Sequence, residues 1–415
     1  MRADRPERGP IGLLRRRRGL RNLTAALALS YIGNGAGLVA LVLHVQSSEG
    51  TGLAVGSLFV AQTAPRLLGP MAGAVADRVN LRRLMVACDA GGAVLFALLA
   101  LLPPLGVSLA LWAAANLLQA AYSPARSSMI AGLVADDEVP TAYALENTAF
   151  NLQVAIGPLV GGALVAAAGA GWALGVDAIT FAVAAALIAR VPRRGPRPDP
   201  DRPGLIAETR AGLAYAARSA VARTLTITLA IAVGFLAVDN VALPFLVRDT
   251  LDGGPAAYGL ASGAFGIGML AASLALAFRP GRSAAAVYLG GLAASGVGSV
   301  ATGLAPAVGA AVALQAAAGI GNGLENVGSN TLIQRHVPGA MLGRMFGLVG
   351  TAAYAGTGVA ALLGGLYLDL TSPRTVFITG GIGALVALAL ALAPLRRSEA
   401  AGRIGAEADE EVPGR

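Results

Sequence analysis

Residues 15–46 read RRRRGLRNLTAALALSYIGNGAGLVALVLHVQ: an arginine cluster at Arg15 to Arg18 and Arg21, then a run from Asn22 to Gln46 with no Asp, Glu, Lys or Arg. About 20 mostly apolar residues span the hydrocarbon core of a bilayer as a helix. Comparable runs recur near residues 22–46, 53–76, 81–103, 106–131, 139–168, 172–190, 222–247, 257–279, 284–304, 307–333, 341–369 and 374–395. Lipid offers backbone N–H and C=O groups no partner, so such runs must be helices or strands of a closed barrel. These are too long and too continuous for the alternating pattern of barrel strands. The expected fold is an all-α membrane protein with twelve transmembrane helices. Composition agrees: 55% of residues are apolar and 13% charged, with a mean hydropathy of +0.67. Ordinary soluble domains carry roughly 25% charged residues.

The formal charge is +8, and every cationic side chain except histidine is an arginine. Arginines precede the first run and follow the second (Arg78, Arg82, Arg83), sixth, eighth and twelfth; only Arg248 and Arg374 fall in the opposite connections. Cytoplasmic loops of membrane proteins carry this excess. Both termini are therefore expected in the cytoplasm of a cell whose plasma (inner) membrane holds the chain. An even number of spans requires the same. The charge reads as topology, with possible anionic-lipid contact at Arg15 to Arg18, and not as nucleic-acid binding. Cys88 stands alone, so no intrachain disulfide can form. The first run shows no clear cleavage pattern and reads as an uncleaved helix.

The longest polar stretch contains Pro192, Pro196, Pro198, Pro200 and Pro203. It divides the chain into a cytoplasmic N-terminus (1–21), a six-helix bundle (22–190), a cytoplasmic linker (191–221), a second six-helix bundle (222–395) and a disordered tail (396–415). Leu205 to Tyr215 reads as a short amphipathic surface helix. The halves look related: each places a polar helix end, a loop and then a Gly-rich helix in the same order, ending at Gly161-Gly162 and Gly364-Gly365. Such parallel repeats occur in transporters, with substrate sites between them.

The most specific motif is Gly73-Ala-Val-Ala-Asp77-Arg78-Val-Asn80-Leu-Arg82-Arg83. Gly73 permits close helix approach, and Asp77 suits a helix N-terminus. Arg78 and Arg82 supply cations for ion pairs, so the loop reads as a latch on the inner face. A second motif, Gly157-Pro158-Leu-Val-Gly161-Gly162, combines small packing residues with a helix-bending proline.

On these motifs the chain resembles the major facilitator superfamily, whose loop pattern Gly-x-Leu-Ala-Asp-Arg-x-Gly-Arg-Lys/Arg is matched at Gly73, Ala76, Asp77, Arg78 and Arg82. Asn80 stands where that family has Gly, and Leu81 where it has a basic residue. The Gly157 element is similar to an exporter-associated one. The run from Tyr122 to Gly162, with Gln334 to Pro338 and Gly343 to Gly347, resembles the branch of enterobactin exporters and macrolide efflux proteins. The resemblance covers residues 20–398. It implies export by alternating access and proton antiport, with one copy sufficient. The superfamily's arginine motif in the fourth span, linked to proton coupling, has no counterpart, since residues 106–125 hold no Arg.

Charges inside a membrane are costly and mark function. Glu325, beside Asn322 and Asn326, Asp239 and Glu146 are the candidate proton or substrate carboxylates; Asp89 and Asp177 read as structural. A carboxyl group in apolar surroundings holds its proton more tightly, which suits a proton-coupled carrier. Asn34 and Asn322 are candidate cavity groups, and Arg66 is placed to neutralise a carboxylate. His44 and His336 read as surface residues. No phosphate loop, metal-ligand cluster or nucleophile–base set is present in the sequence. Neither enzyme activity nor a cofactor or metal is expected. The expected partners are a small-molecule substrate, protons and lipid. A receptor or sensor, or a passive facilitator, remains the alternative on the same fold.

Overall fold

A computed structural model describes residues 9–68, 79–192, 214–215, 217–278 and 282–410, and within them the chain is helical with no strand. A short helix α1 (Pro10–Arg16) leads into α2 (Arg18–Glu49), whose 32 residues extend about 48 Å. Gly50 ends α2 in the left-handed conformation, at φ +68°, where a side chain would be strained. Helix α3 (Gly52–Thr63) is capped by the Thr51 hydroxyl, which accepts from Ala54 N at 3.3 Å. It stops short of a full span: Pro65 lacks an N–H, and a 3₁₀ turn, Pro65–Leu68, follows. Then come α4 (Leu81–Leu99), α5 (Leu105–Leu133), α6 (Val139–Ala155), α7 (Gly157–Ala168) and α8 (Ala170–Ala189). The second part holds α9 (Ala220–Leu236), α10 (Val238–Phe245), a π-helical turn (Leu246–Thr250), α11 (Pro255–Ala277), α12 (Ala284–Gly303), α13 (Val308–His336), α14 (Gly339–Leu370) and α15 (Pro373–Glu410).

Nine described helical stretches are long and apolar enough to cross a membrane. Leu81–Leu99, Val308–His336 and Gly52–Thr63 fall outside that group. The first carries Arg82, Arg83 and Asp89, the second Gln315, Asn322 and Glu325, and the third is only 12 residues long. Two runs read above as continuous are each two helices. The run 139–168 breaks at Ile156, ahead of Pro158, and the run 222–247 breaks at Ala237. Helix α15 continues to Glu410 through residues read above as a disordered tail; Ala, Glu and Arg there are good helix formers. Gly73, Asp77 and Arg78, and all of the expected surface helix except Ala214 and Tyr215, lie outside the described residues.

Helix α2 packs against α6, α7 and α8, and α8 also against α4. In the second part, α13 lies between α11 and α12, and α15 against α9 and α12. The two parts meet through α3 on α14 and through α6 and α7 on α11. Between helices in lipid, close packing and not apolar transfer supplies the attraction. At Gly162 and Gly259 the α7 and α11 backbones are so close that a Cβ on either would strike the other's Cα.

The buried apolar residues form three clusters with a telling distribution. One, at the end away from the arginine-rich connections, joins both parts: Val39 to Leu43, Val45, Phe96 and Trp112 with Val241 to Leu243, Phe245 to Val247, Leu368 and Phe377. The other two lie towards the arginine-rich end and do not mix. One belongs to the first part (Leu20, Met85, Met129, Ile188) and one to the second (Leu225, Tyr288, Ile333, Met345).

The hydrogen bonds joining the parts cluster at the same far end. Gln46 Nε2 donates to the Pro244 carbonyl and to Asp249 (3.1 Å), and Arg248 Nη1 donates to Gln46 Oε1 (3.2 Å). Gly52 N and Leu53 N donate to the two Asp369 carboxylate oxygens. Asp369, at the end of α14, thus serves as an anionic cap for the N-terminus of α3.

Candidate functional site

A cavity of about 380 Å³ lies between the two parts, lined from the first by Gly35, Phe59, Gln153 and Pro158 and from the second by Asp239, Asn240, Ser295, Gln315, Asn322 and Glu325. Its position follows from the helix pairs. Gly291 and Gly321 bring α12 against α13, so that Ser295 and Glu325 sit on touching backbones. Glu325 is 3% exposed; its Oε2 and the Ser295 Oγ are buried with no hydrogen-bond partner among the described residues. Buried polar atoms are normally satisfied, so these two stand out on residues that line the cavity.

Asp239 stands in the first turn of α10, created by the break at Ala237, where free N–H groups and the helix dipole favour an acid. Ser299 Oγ lies 2.7 Å from Asp239 Oδ2 and 2.9 Å from the Phe377 carbonyl. A hydroxyl has one hydrogen. It can serve one of these acceptors at a time unless Asp239 itself carries a proton, in which case Asp239 donates to Oγ and Oγ to the carbonyl. Asn322 Oδ1 accepts from Asn326 Nδ2 at 3.0 Å at the cavity wall.

Asn34 and Arg66 line a second, smaller cavity with Gln62, Asn116, Gln119 and Gln153; Gln153 borders both cavities. Arg66 Nη2 donates to Asn116 Oδ1 at 3.1 Å, and its guanidinium stands 5.7 Å from the Tyr354 ring centre. Among the described residues no carboxylate lies within salt-bridge distance of Arg66. The expected neutralisation of an acid has no counterpart among the described residues. Glu146 lies away from both cavities, with Oε1 2.9 Å from Arg126 Nε; Arg126 also donates to the Tyr31 hydroxyl and to Ser123 Oγ (3.3 Å). Asp177 is fully buried on α8, its Oδ1 accepting from Thr180 Oγ1 at 2.9 Å, and Gly33 and Gly37 make room for it against α2. Asp89, on α4, is 1% exposed and borders neither cavity.

In the second motif, Gly157 lies against Gly35, Gly161 against Ala36 and Gly162 against Gly259, while Pro158 borders the larger cavity. Of the loop motif, Arg82 is described: its Nη1 donates to the carbonyls of Ala189 (3.0 Å) and Val191 (3.2 Å) at the end of α8.

The model of the family described as "transmembrane secretion effector" matches residues 15–411. The chain belongs to this family. It is a multi-pass membrane transporter of the major facilitator superfamily. Solved transporters share the fold at low identity. A POT family transporter in complex with a thioalcohol-conjugated peptide has a TM-score of 0.73 at 13% identity, covering 92% of this chain and 96% of that one. A bacterial homologue of the human lysosomal transporter Spinster, inward-facing and occupied, gives 0.71 at 16%, covering 91% and 96%. The nucleoside transporter NupG gives 0.71 at 13%, covering 91% and 98%. No curated protein matches the sequence.

Four residues at the transporter's cavities and ion pair had no part, or only a minor one, in the sequence reading. Gln153 and Gln315 are uncharged polar groups inside apolar runs, a signal that was available. Ser295 is one of many serines and gave none. Arg126 entered only through the resemblance, although it lies within a predicted span.

Proposed function

We propose that this transporter exports an amphipathic small molecule from the cytoplasm across the plasma (inner) membrane in exchange for protons. Twelve crossings in two six-helix bundles would alternately expose the larger cavity to each side. With the arginine-rich ends in the cytoplasm, the observation that carries the reading is the asymmetry of the contacts between the parts. They share one core and the Gln46 and Asp369 bonds at the outer end, and keep separate cores at the inner end. That is the arrangement of a carrier closed to the outside, with its cavity bordered by both halves. Support for proton exchange comes from Asp239 and Glu325, two carboxyl groups on the cavity wall with no cationic partner within 4 Å among the described residues. Support for a small-molecule cargo comes from neighbours solved with a conjugated peptide and with 5-aminolevulinic acid. Gly73, Asp77 and Arg78 would form the opposing inner latch, as the loop motif suggests.

The test is accumulation of a panel of amphipathic dyes in a pump-deficient bacterial host. Expression of the wild type should lower accumulation of at least one dye, an uncoupler should restore it, and Glu325→Gln should behave as the empty vector. Flux that merely equilibrates, indifferent to the uncoupler, would establish a facilitator. A bound dye that is never moved would establish a sensor.

A further inference from the structure

Taking the larger cavity as the substrate site, we infer that the transported molecule carries an oxyanion, a carboxylate or phosphate, that docks on Arg66. Arg66 is a half-buried cation just beyond the point where α3 breaks off, at Pro65. A cation within a membrane segment needs a compensating partner, yet among the described residues the polar groups lining the smaller cavity with Arg66 are neutral carboxamides, Asn34, Gln62, Asn116, Gln119 and Gln153. Amides satisfy hydrogen bonds but cannot offset a full charge. A guanidinium has five N–H donors in a fork that matches a carboxylate or phosphate. One bond, to Asn116 Oδ1, uses a single donor. Tyr354 from α14 holds the guanidinium over its ring and so keeps it at the seam between the parts.

Size and position set the ligand's shape. The smaller cavity is about 20 Å³, room for one water-sized group, and therefore for an oxyanion's oxygen and not for its body. Gln153 borders both cavities, so a molecule lying in the larger one can reach Arg66 with its head. The acids of the larger cavity, Asp239 and Glu325, stand on the second part. The ligand's anionic end is thus directed towards the first part and its neutral or cationic remainder towards those acids.

The two tryptophans of the chain permit a direct test. Trp112 borders the smaller cavity and Trp172 is 71% exposed. The full chain carrying Trp172→Phe, in zwitterionic nanodiscs, is titrated with decanoate, decyl phosphate, decylammonium and decanol while Trp112 fluorescence is followed. Either anion should give a saturable change that the ammonium and the alcohol do not. Arg66→Gln should weaken it at least about tenfold, the scale of one lost charge-assisted bond, and Arg66→Lys, which keeps the charge but not the fork, should restore part of the loss. Equal affinity in Arg66→Gln, ammonium binding as strong as anion binding, or no saturable response to either anion would overturn the inference. If Arg66→Gln does not fold, the ranking of the four probes on the parent chain decides. No ion gradient is involved. Anion preference without uncoupler-sensitive efflux would therefore sink the export reading alone, and efflux without anion preference would sink this one alone.

Discussion

Glu146 and Glu325 are both glutamates within apolar runs, and the structure gives them different occupations. Glu146 is held by Arg126, which also reaches Tyr31 and Ser123, while Glu325 lines the cavity and has a buried carboxyl oxygen with no partner among the described residues. Removing one member of a partly buried ion pair costs the other a charged partner. Glu146→Ala is therefore expected to cost on the order of 2 kcal/mol, seen as a lower Tm in detergent. Glu325→Gln keeps the shape and strands nothing. Its Tm should stay near that of the wild type while uncoupler-sensitive efflux is lost. The sequence marked both acids by one criterion, charge at depth. It could not separate them, because Arg126 stands 20 positions before Glu146 on a neighbouring helix, and no spacing rule reports how two helices are rotated. The same ignorance assigned Arg66 a carboxylate that it does not meet among the described residues.

At the scale of elements, long apolar runs gave the helices close to their observed bounds, as with Ala284–Gly303 against an expected 284–304. Pro158 was read as bending a helix, and α6 ends shortly before it; α3 likewise ends shortly before Pro65, although the expected spans 53–76 and 139–168 ran through both prolines. The break at Ala237 had no proline beside it and was not legible, though it is what puts Asp239 in a first helical turn. Nor was the cap that α14 provides for α3, since Asp369 lies 317 positions from Gly52. Losing a side-chain cap costs about 1 kcal/mol, a factor of about five in an opening equilibrium. Asp369→Ala should speed hydrogen exchange in the peptide containing Gly52 and Leu53 by about that factor, and Asp369→Asn by less. Unchanged exchange would mean that the cap does not hold the seam.

For the molecule as a whole, hydropathy and arginine placement made a helical membrane protein legible, and the loop motif pointed to its superfamily. What no linear pattern contains is the sharing of the core: one cluster spanning both parts at the far end, two separate clusters at the arginine-rich end. That arrangement is a contact between residues 39–45 and 241–247, set by which faces of α2 and α10 turn inward. It yields the central claim, that a cavity between two bodies opens to one side at a time. Ser262, on the cavity wall, reports this directly. In a Cys88→Ser background, Ser262→Cys is exposed to a membrane-impermeant maleimide from either side of oriented vesicles. Before the reaction, the far-end seam is tied or left free through Leu53→Cys and Leu370→Cys and a short bis-maleimide, with Ser262 mutated only in the chain to be labelled and protected reversibly during linking. Labelling should occur from both sides when the seam is free and from the arginine-rich side alone when it is tied. Labelling from the far side that persists after tying, or that never occurs with the seam free, would contradict alternating access.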